Sequence, residues 1–139
     1  MSKTLNIGIA SYAEIKARTL RIARGELKPR AGDPKVWFPS LESLAKVLSE
    51  SNRELLALID ARNPRSLQEL SDASGRATSN LSRTLKTMSR YGLVVLEVHP
   101  GRRLAPKVLY SRFKLEMPIG LDGASNTAKR RNRTVAHAG

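Results

Sequence analysis

The sequence predicts an α+β protein, mainly helical, and three observations carry that prediction. Five segments repeat large apolar residues at spacings of three and four, the period of a helix with one buried side. Three segments carry a serine followed three residues later by glutamate (Ser11 with Glu14, Ser51 with Glu54, Ser66 with Glu69). In this pattern the serine hydroxyl satisfies a free amide of the first helical turn. Two runs, "TLNIGIA" and "LVVLEV", instead alternate apolar and polar residues or concentrate β-branched ones, and read as strands.

Residues 4–10 are the first expected strand. The Ser11 box then opens a helix with Tyr12, Ile15, Thr19 and Ile22 on one side and Gly25 placed to stop it. "GELKPRAGDP" is a linker, because its glycines and prolines interrupt any regular ladder. "KVWF", residues 35–38, is a short strand that can pair with the first, and Trp37 and Phe38 are read as core. Leu41, Leu44, Ala45 and Leu48 mark a helix; Ser51 opens another, with Leu55, Leu58 and Ile59, which "ARNP" ends. Ser66 opens a short helix with Leu67, Leu70 and Ala73, and Ser74-Gly75 turns the chain into a helix over residues 78–91, in which Leu81, Leu85 and Met88 form one stripe.

Gly92 closes that helix, and "LVVLEV" follows directly. A return strand is expected over residues 109–117, with Leu109, Phe113, Leu115 and Met117 facing the core and Tyr110, Arg112, Lys114 and Glu116 facing out. The connection "HPGRRLAPK" would then be a basic wing with Arg102, Arg103 and Lys107 at its tip. The chain ends in a polar, basic stretch with almost no apolar anchors, expected to be disordered. The organisation is thus a strand-helix-strand extension (1–39) with a possible role in dimerisation, a helix-turn-helix with a β-wing (40–118) and a basic tail (119–139).

Charge narrows the function. The 139 residues carry a formal net charge of +13, which favours nucleic acid or an anionic surface as partner. No apolar run approaches the ~18 residues of a membrane span and no signal-peptide pattern opens the chain, so a cytoplasmic protein with no membrane partner is expected. The absence of cysteine rules out disulfides and thiolate chemistry. His99 and His137 have no partners at metal-ligand spacing, so neither metal nor cofactor is expected. With no phosphate loop, no nucleophile motif and scattered carboxylates, the chain does not read as an enzyme.

The helix over 78–91 is the candidate site. Opposite its apolar stripe lie Ser79, Arg83, Lys86, Thr87 and Arg90, with Thr78, Asn80 and Ser82 alongside, and no acid occurs between Arg76 and Leu96. A solvated helix face ordinarily mixes signs, so this one points to a polyanion, against the plainer reading of a merely basic surface. Arg83 is the expected base reader, since its planar fork can bond two acceptors of guanine at once; Lys86 and Arg90 are expected on phosphates. Thr78, Ser79 and Asn80 could contact a phosphate at the helix N-terminus, or Ser79 and Asn80 could serve only as caps. Arg102 and Arg103 could enter a minor groove or only discourage strand pairing at an edge. In the tail, "KRRNR" is read as a nonspecific arm.

The run "SLQELSDASGRATSNLSRTLKTMSRYGLVVLE" resembles the core of the MarR-like winged helix-turn-helix regulators, in which a glycine turn precedes the recognition helix and a "YGLV"-type break leads into the wing. The resemblance covers roughly residues 55–115. Flanking segments, including "VWFPSLESLAKVLSESNRELLALI", resemble a small subgroup of bacterial and archaeal proteins assigned to DNA binding, some of them encoded beside small toxin-like proteins. Ser71, at a turn-packing position often held by alanine, and Ala77, in place of the usual N-cap serine, depart from the pattern. The resemblance implies a sequence-specific transcriptional regulator of double-stranded DNA. It extends to an autoregulating antitoxin whose small toxin partner is encoded by a neighbouring gene. A homodimer is expected on separate grounds, because one winged helix touches too few bases for genome-scale specificity. A winged-helix RNA-binding or ribosome-associated protein is the alternative that the charge equally allows. If a dimer forms, residues 4–48, and Ile15, Ile22, Trp37 and Phe38 in particular, are the expected interface.

Overall fold

The computed structural model of the chain describes residues 3–119. The fold is α+β, with five helices and five strands among the described residues, divided into two compact units. No helix among them is long and apolar enough to cross a membrane. The expected tail lies, from residue 120 on, outside the described residues.

The first unit comprises residues 5–41 and 113–119. Its sheet has β1 (Thr4–Ile9) between β2 (Val36–Phe38) and β5 (Arg112–Glu116). β2 runs parallel to β1, with Ile7 opposite Val36 and Ile9 opposite Phe38. Leu5, Ile7 and Ile9, two apart along β1, are buried, as the alternation of a strand requires. Gly8 is buried for a different reason: a Cβ there would lie 2.5 Å from the Trp37 ring, so only glycine lets the indole rest on the strand.

Helix α1 (Tyr12–Ala23) begins as expected, with Ser11 Oγ accepting the amide of Glu14 at 3.2 Å, and ends at Gly25, whose φ of +74° completes the cap. None of its residues is fully buried, and Tyr12 is 79% exposed. Arg18 spans the top of the unit, with its guanidinium 3.1 Å from Asp33 and 5.5 Å above the Trp37 ring centre.

Residues 3–4 and 42–112 form the second unit. Its helices are α2 (Leu41–Val47), α3 (Glu50–Arg62), α4 (Leu67–Ser74) and α5 (Thr78–Arg90), followed by the hairpin β3 (Val94–His99) and β4 (Arg103–Val108). The core is made by Leu44, Leu55, Leu56, Ile59, Leu70, Leu81, Leu85, Met88, Leu93, Val94 and Ala105. Burial of each large aliphatic side chain contributes about 1.5–3 kcal/mol before the opposing chain entropy is counted.

Three sequence expectations are corrected here. α3 is capped by Ser49, not Ser51: the Ser49 hydroxyl accepts the amide of Asn52 at 3.2 Å. Capping needs only a backbone amide, so the glutamate of the S-x-x-E pattern was a misleading marker. The strand returning against β3 is β4, within the supposed connection, and not residues 109–117. Ala105 and Pro106 are buried on β4; an edge strand tolerates proline because only one side of it must donate. Residues 112–116 instead form β5 in the other sheet, and Leu109, Leu115 and Met117 stay exposed. Finally, Phe38 has no exposed surface and is core alone, so it cannot take part in an interface.

Candidate nucleic-acid interface

α5 is held from behind by Leu81, Leu85 and Met88, each with no exposed surface. Its entry is fixed by the preceding turn. Gly75, at φ +76°, caps α4 and gives its amide to the Ser71 carbonyl at 2.9 Å. The Ser71 hydroxyl donates to the Arg76 carbonyl at 2.6 Å, so serine there ties the turn rather than merely filling the place of alanine. The Arg76 guanidinium donates to Asn52 Oδ1 at 3.1 Å, to the Ser51 carbonyl at 2.9 Å and to Ser51 Oγ at 2.6 Å. This anchors the start of α5 to the first turn of α3. Arg76 is the residue that sequence reasoning missed: nothing local distinguishes a cation that will be consumed by a segment 24 positions away from one facing solvent.

Ala77 occupies the N-cap of α5 and makes no side-chain cap bond. Leu81 gives the first intrahelical amide bond, to Ala77 at 3.0 Å, and the amides of Thr78, Ser79 and Asn80 precede it. Ser79 and Asn80 are exposed and do not act as caps. A side-chain cap would contribute about 1 kcal/mol; without one, the first turn keeps its donors for an outside acceptor such as a phosphate oxygen.

Along the outer side, Ser79, Arg83, Lys86 and Arg90 follow one another at spacings of four, three and four, all exposed. Thr78 and Asn80 are exposed beside them, and Ser82 and Thr87 are half-buried on the flanks. The Thr87 hydroxyl donates back to the Arg83 carbonyl at 3.1 Å, which commits its proton within the helix. Among the described residues no carboxylate lies within 4.0 Å of Arg83, Lys86 or Arg90. Such a row presents three unpaired cations with free hydroxyl and amide groups at one end.

The hairpin belongs to the same unit. His99 pairs with Arg103, which leaves Pro100, Gly101 and Arg102 as the turn. Gly101 at φ +80° and Arg102 at φ +60° both adopt the left-handed conformation. Arg102 and Arg103 are exposed at this tip and, with Leu104, line an open cleft of about 500 Å³ against α4, where Glu69 and Asp72 face them. Those carboxylates already accept from the Arg65 amide and the Gln68 side chain respectively. Glu97 and His99, 3.3 Å apart, add one acid near the turn. Lys107 is placed differently from the expectation. It lies on β4 opposite Val95, away from the tip, and its ammonium donates to Asn63 Oδ1 at 2.9 Å.

A family model described as HVO_A0114 matches residues 47–115, which include α3, α4, α5 and both hairpin strands. No curated protein and no solved structure matches the chain.

Proposed function

We propose that the chain is a sequence-specific DNA-binding transcriptional regulator of the winged helix-turn-helix type. α5 enters the major groove, and the β3–β4 turn serves as the wing at the neighbouring minor groove. The observation that carries this reading is α5 itself, whose apolar side is wholly consumed by the core and whose outer side is a row of cations with no neighbouring carboxylate among the described residues. A B-DNA major groove about 12 Å wide accepts one helix. Arg83, in the middle of the row, reads guanine through its fork; Lys86 and Arg90 hold phosphates, and the open first turn meets another. Arg102 and Arg103 follow the negative potential of a narrow minor groove.

One such module reads few base pairs, so the regulator works as a two-fold homodimer on inverted half-sites. The resemblance to proteins encoded beside toxin-like genes supports an autoregulating antitoxin acting in the cytoplasm, with a small toxin as second partner.

The test is selection of bound sequences from random duplex DNA, with the region upstream of the chain's own gene included. Enrichment of a motif with two-fold symmetry at moderate salt is expected. A flat outcome sinks the reading. Tighter binding to a structured RNA than to every duplex would replace it with the RNA-binding one, because the deep, narrow major groove of A-form RNA excludes α5.

A further inference from the structure

The two edges of the β2-β1-β5 sheet are unlike. β2 has three residues with Pro34 and Pro39 close to its ends, and prolines, which cannot donate, blunt an edge. β5 has five residues and meets no proline until Pro118. By strand alternation Phe113 and Leu115 share one face of β5, with Met117 next in the same register just past its end, and Arg112, Lys114 and Glu116 share the other. Among the described residues that face is only partly covered: Phe113 is half-buried, whereas Leu115 is 45% and Met117 48% exposed.

We propose that the β5 edge pairs antiparallel with the β5 edge of a second copy of this chain, about a two-fold axis at Leu115. The proposal deepens the reading above by naming the surface of its dimer, and it takes from that reading the need for one.

The register follows from chemistry. A two-fold axis normal to the sheet sets each residue opposite one of the same face, so the axis must pass through a residue position. An axis at Phe113 would oppose Arg112 to Lys114. One at Lys114 would oppose two lysines, and one at Glu116 two glutamates, each a like-charge cross-strand pair. With the axis at Leu115, Lys114 of each copy faces Glu116 of the other, Phe113 faces Met117, and the two Leu115 side chains meet. Both faces are then complementary, and Pro118 ends the ladder opposite Arg112. An axis at Lys114 would also set Arg112 against Glu116, but at the cost of the lysine pair; with the axis at Leu115 every charged cross-strand pair is an attraction. A foreign strand would have no reason to match this pattern of lysine, leucine and glutamate, whereas a second copy matches it by symmetry.

The experiment is sedimentation of the full chain over a wide range of concentration, for the wild type, Lys114→Glu, Glu116→Lys and the double variant. The wild type is expected to show a monomer–dimer equilibrium. Each single change replaces two symmetry-related attractions by two repulsions and should raise the dissociation constant by about tenfold. The double variant restores the dimer, and so does an equimolar mixture of the two single variants, which again sets lysine against glutamate at both pairs. Both substituted positions are exposed, so far-UV circular dichroism should be unchanged. A wild type that remains monomeric throughout overturns the proposal, as does a dimer indifferent to the single changes. A single change that the double variant or the mixture fails to rescue overturns it as well. The outcome is separable from that of the DNA selection. A dimer behaving in this way without any selected DNA motif would sink the regulator and keep the interface; a selected palindrome with indifferent charge variants would do the reverse.

Discussion

Helices α1 and α5 are nearly equal in length, at 12 and 13 residues, and both read as amphipathic in the sequence, yet the structure uses them in opposite ways. α5 sinks three side chains to zero exposure, whereas α1 has no fully buried residue. Their cations differ as well. Arg18 of α1 is shared between Asp33 and the face of Trp37, while Arg83, Lys86 and Arg90 of α5 have no carboxylate within 4.0 Å among the described residues. An amphipathic pattern therefore does not by itself mark a binding helix. What sets α5 apart is an apolar side fully spent on the core together with an outer row of cations that meets no carboxylate among the described residues.

The largest effect that would test this comparison is a carboxylate placed on each apolar stripe. Leu85→Asp buries an unpaired charge at a position with no exposure and should cost 4 kcal/mol or more, on the order of the marginal stability of a small unit. Ile15→Asp on α1, at a half-buried site, should cost only about 1 kcal/mol. Urea denaturation followed by circular dichroism compares the two. Equal losses would mean that α1 is as firmly packed as α5 and would remove the contrast.

The asymmetry was half legible. The α5 stripe, its glycine stops at Gly75 and Gly92, and the boxes at Ser11 and Ser66 are local signals, and each appears where the sequence placed it. What failed was non-local. β4 is hidden in "RLAPK" because proline and charge there imitate a turn, and only pairing with β3 makes it a strand. β5 has the alternation of a strand with one buried face, but its neighbour is β1, more than a hundred residues earlier in the chain, and its apolar residues remain exposed. At the candidate site the outer row of α5 was readable from helical spacing alone. Arg76 and Lys107 were not, since whether a cation is free depends on Ser51, Asn52 and Asn63, which only the fold brings near.

A second pair of substitutions sharpens the contrast between cations. Arg83→Ala should leave stability nearly unchanged, weaken binding to the selected DNA by about 1–3 kcal/mol and relax discrimination at one base pair. Arg18→Ala should leave DNA binding intact and cost the fold less than about 1 kcal/mol, the usual scale of a partly solvated ion pair. Between these lies Arg102→Ala with Arg103→Ala, for which affinity should fall across many sequences and the slope of log affinity against log salt should become shallower by roughly one unit per lost phosphate contact. Binding isotherms on the preferred site and on a scrambled duplex, at several salt concentrations, separate the three. A uniform loss for Arg83→Ala, with altered base preference for the hairpin variant, would exchange their roles.

The smallest expected effect concerns the group that immobilises Arg18. Asp33 accepts the Arg30 amide at 2.8 Å and the Arg18 guanidinium at 3.1 Å. The Arg30 amide is the largest cause holding its carboxyl below the ordinary value of 3.8; Arg18 adds to the lowering, and the little desolvation at the site opposes it. A carboxylate whose pKa is depressed in the folded state stabilises that state fully above its unfolded pKa and loses the contribution as pH falls through the folded value. The loss should therefore appear only on the acid side of 3.8 and be absent near neutrality. Asp33→Asn removes the titration but keeps an oxygen that can accept the Arg30 amide. The stability difference between wild type and variant should be small and constant at neutral pH, and should shrink as acid protonates Asp33 in the wild type. Urea midpoints measured in parallel from neutral pH into the acid range give that difference directly. α5 has no comparable carboxylate on its outer row, so Arg83→Ala should show no such convergence. Parallel acid losses for wild type and Asp33→Asn would mean that the Arg30 amide and the Arg18 guanidinium together do not favour the ionised Asp33 in the folded state.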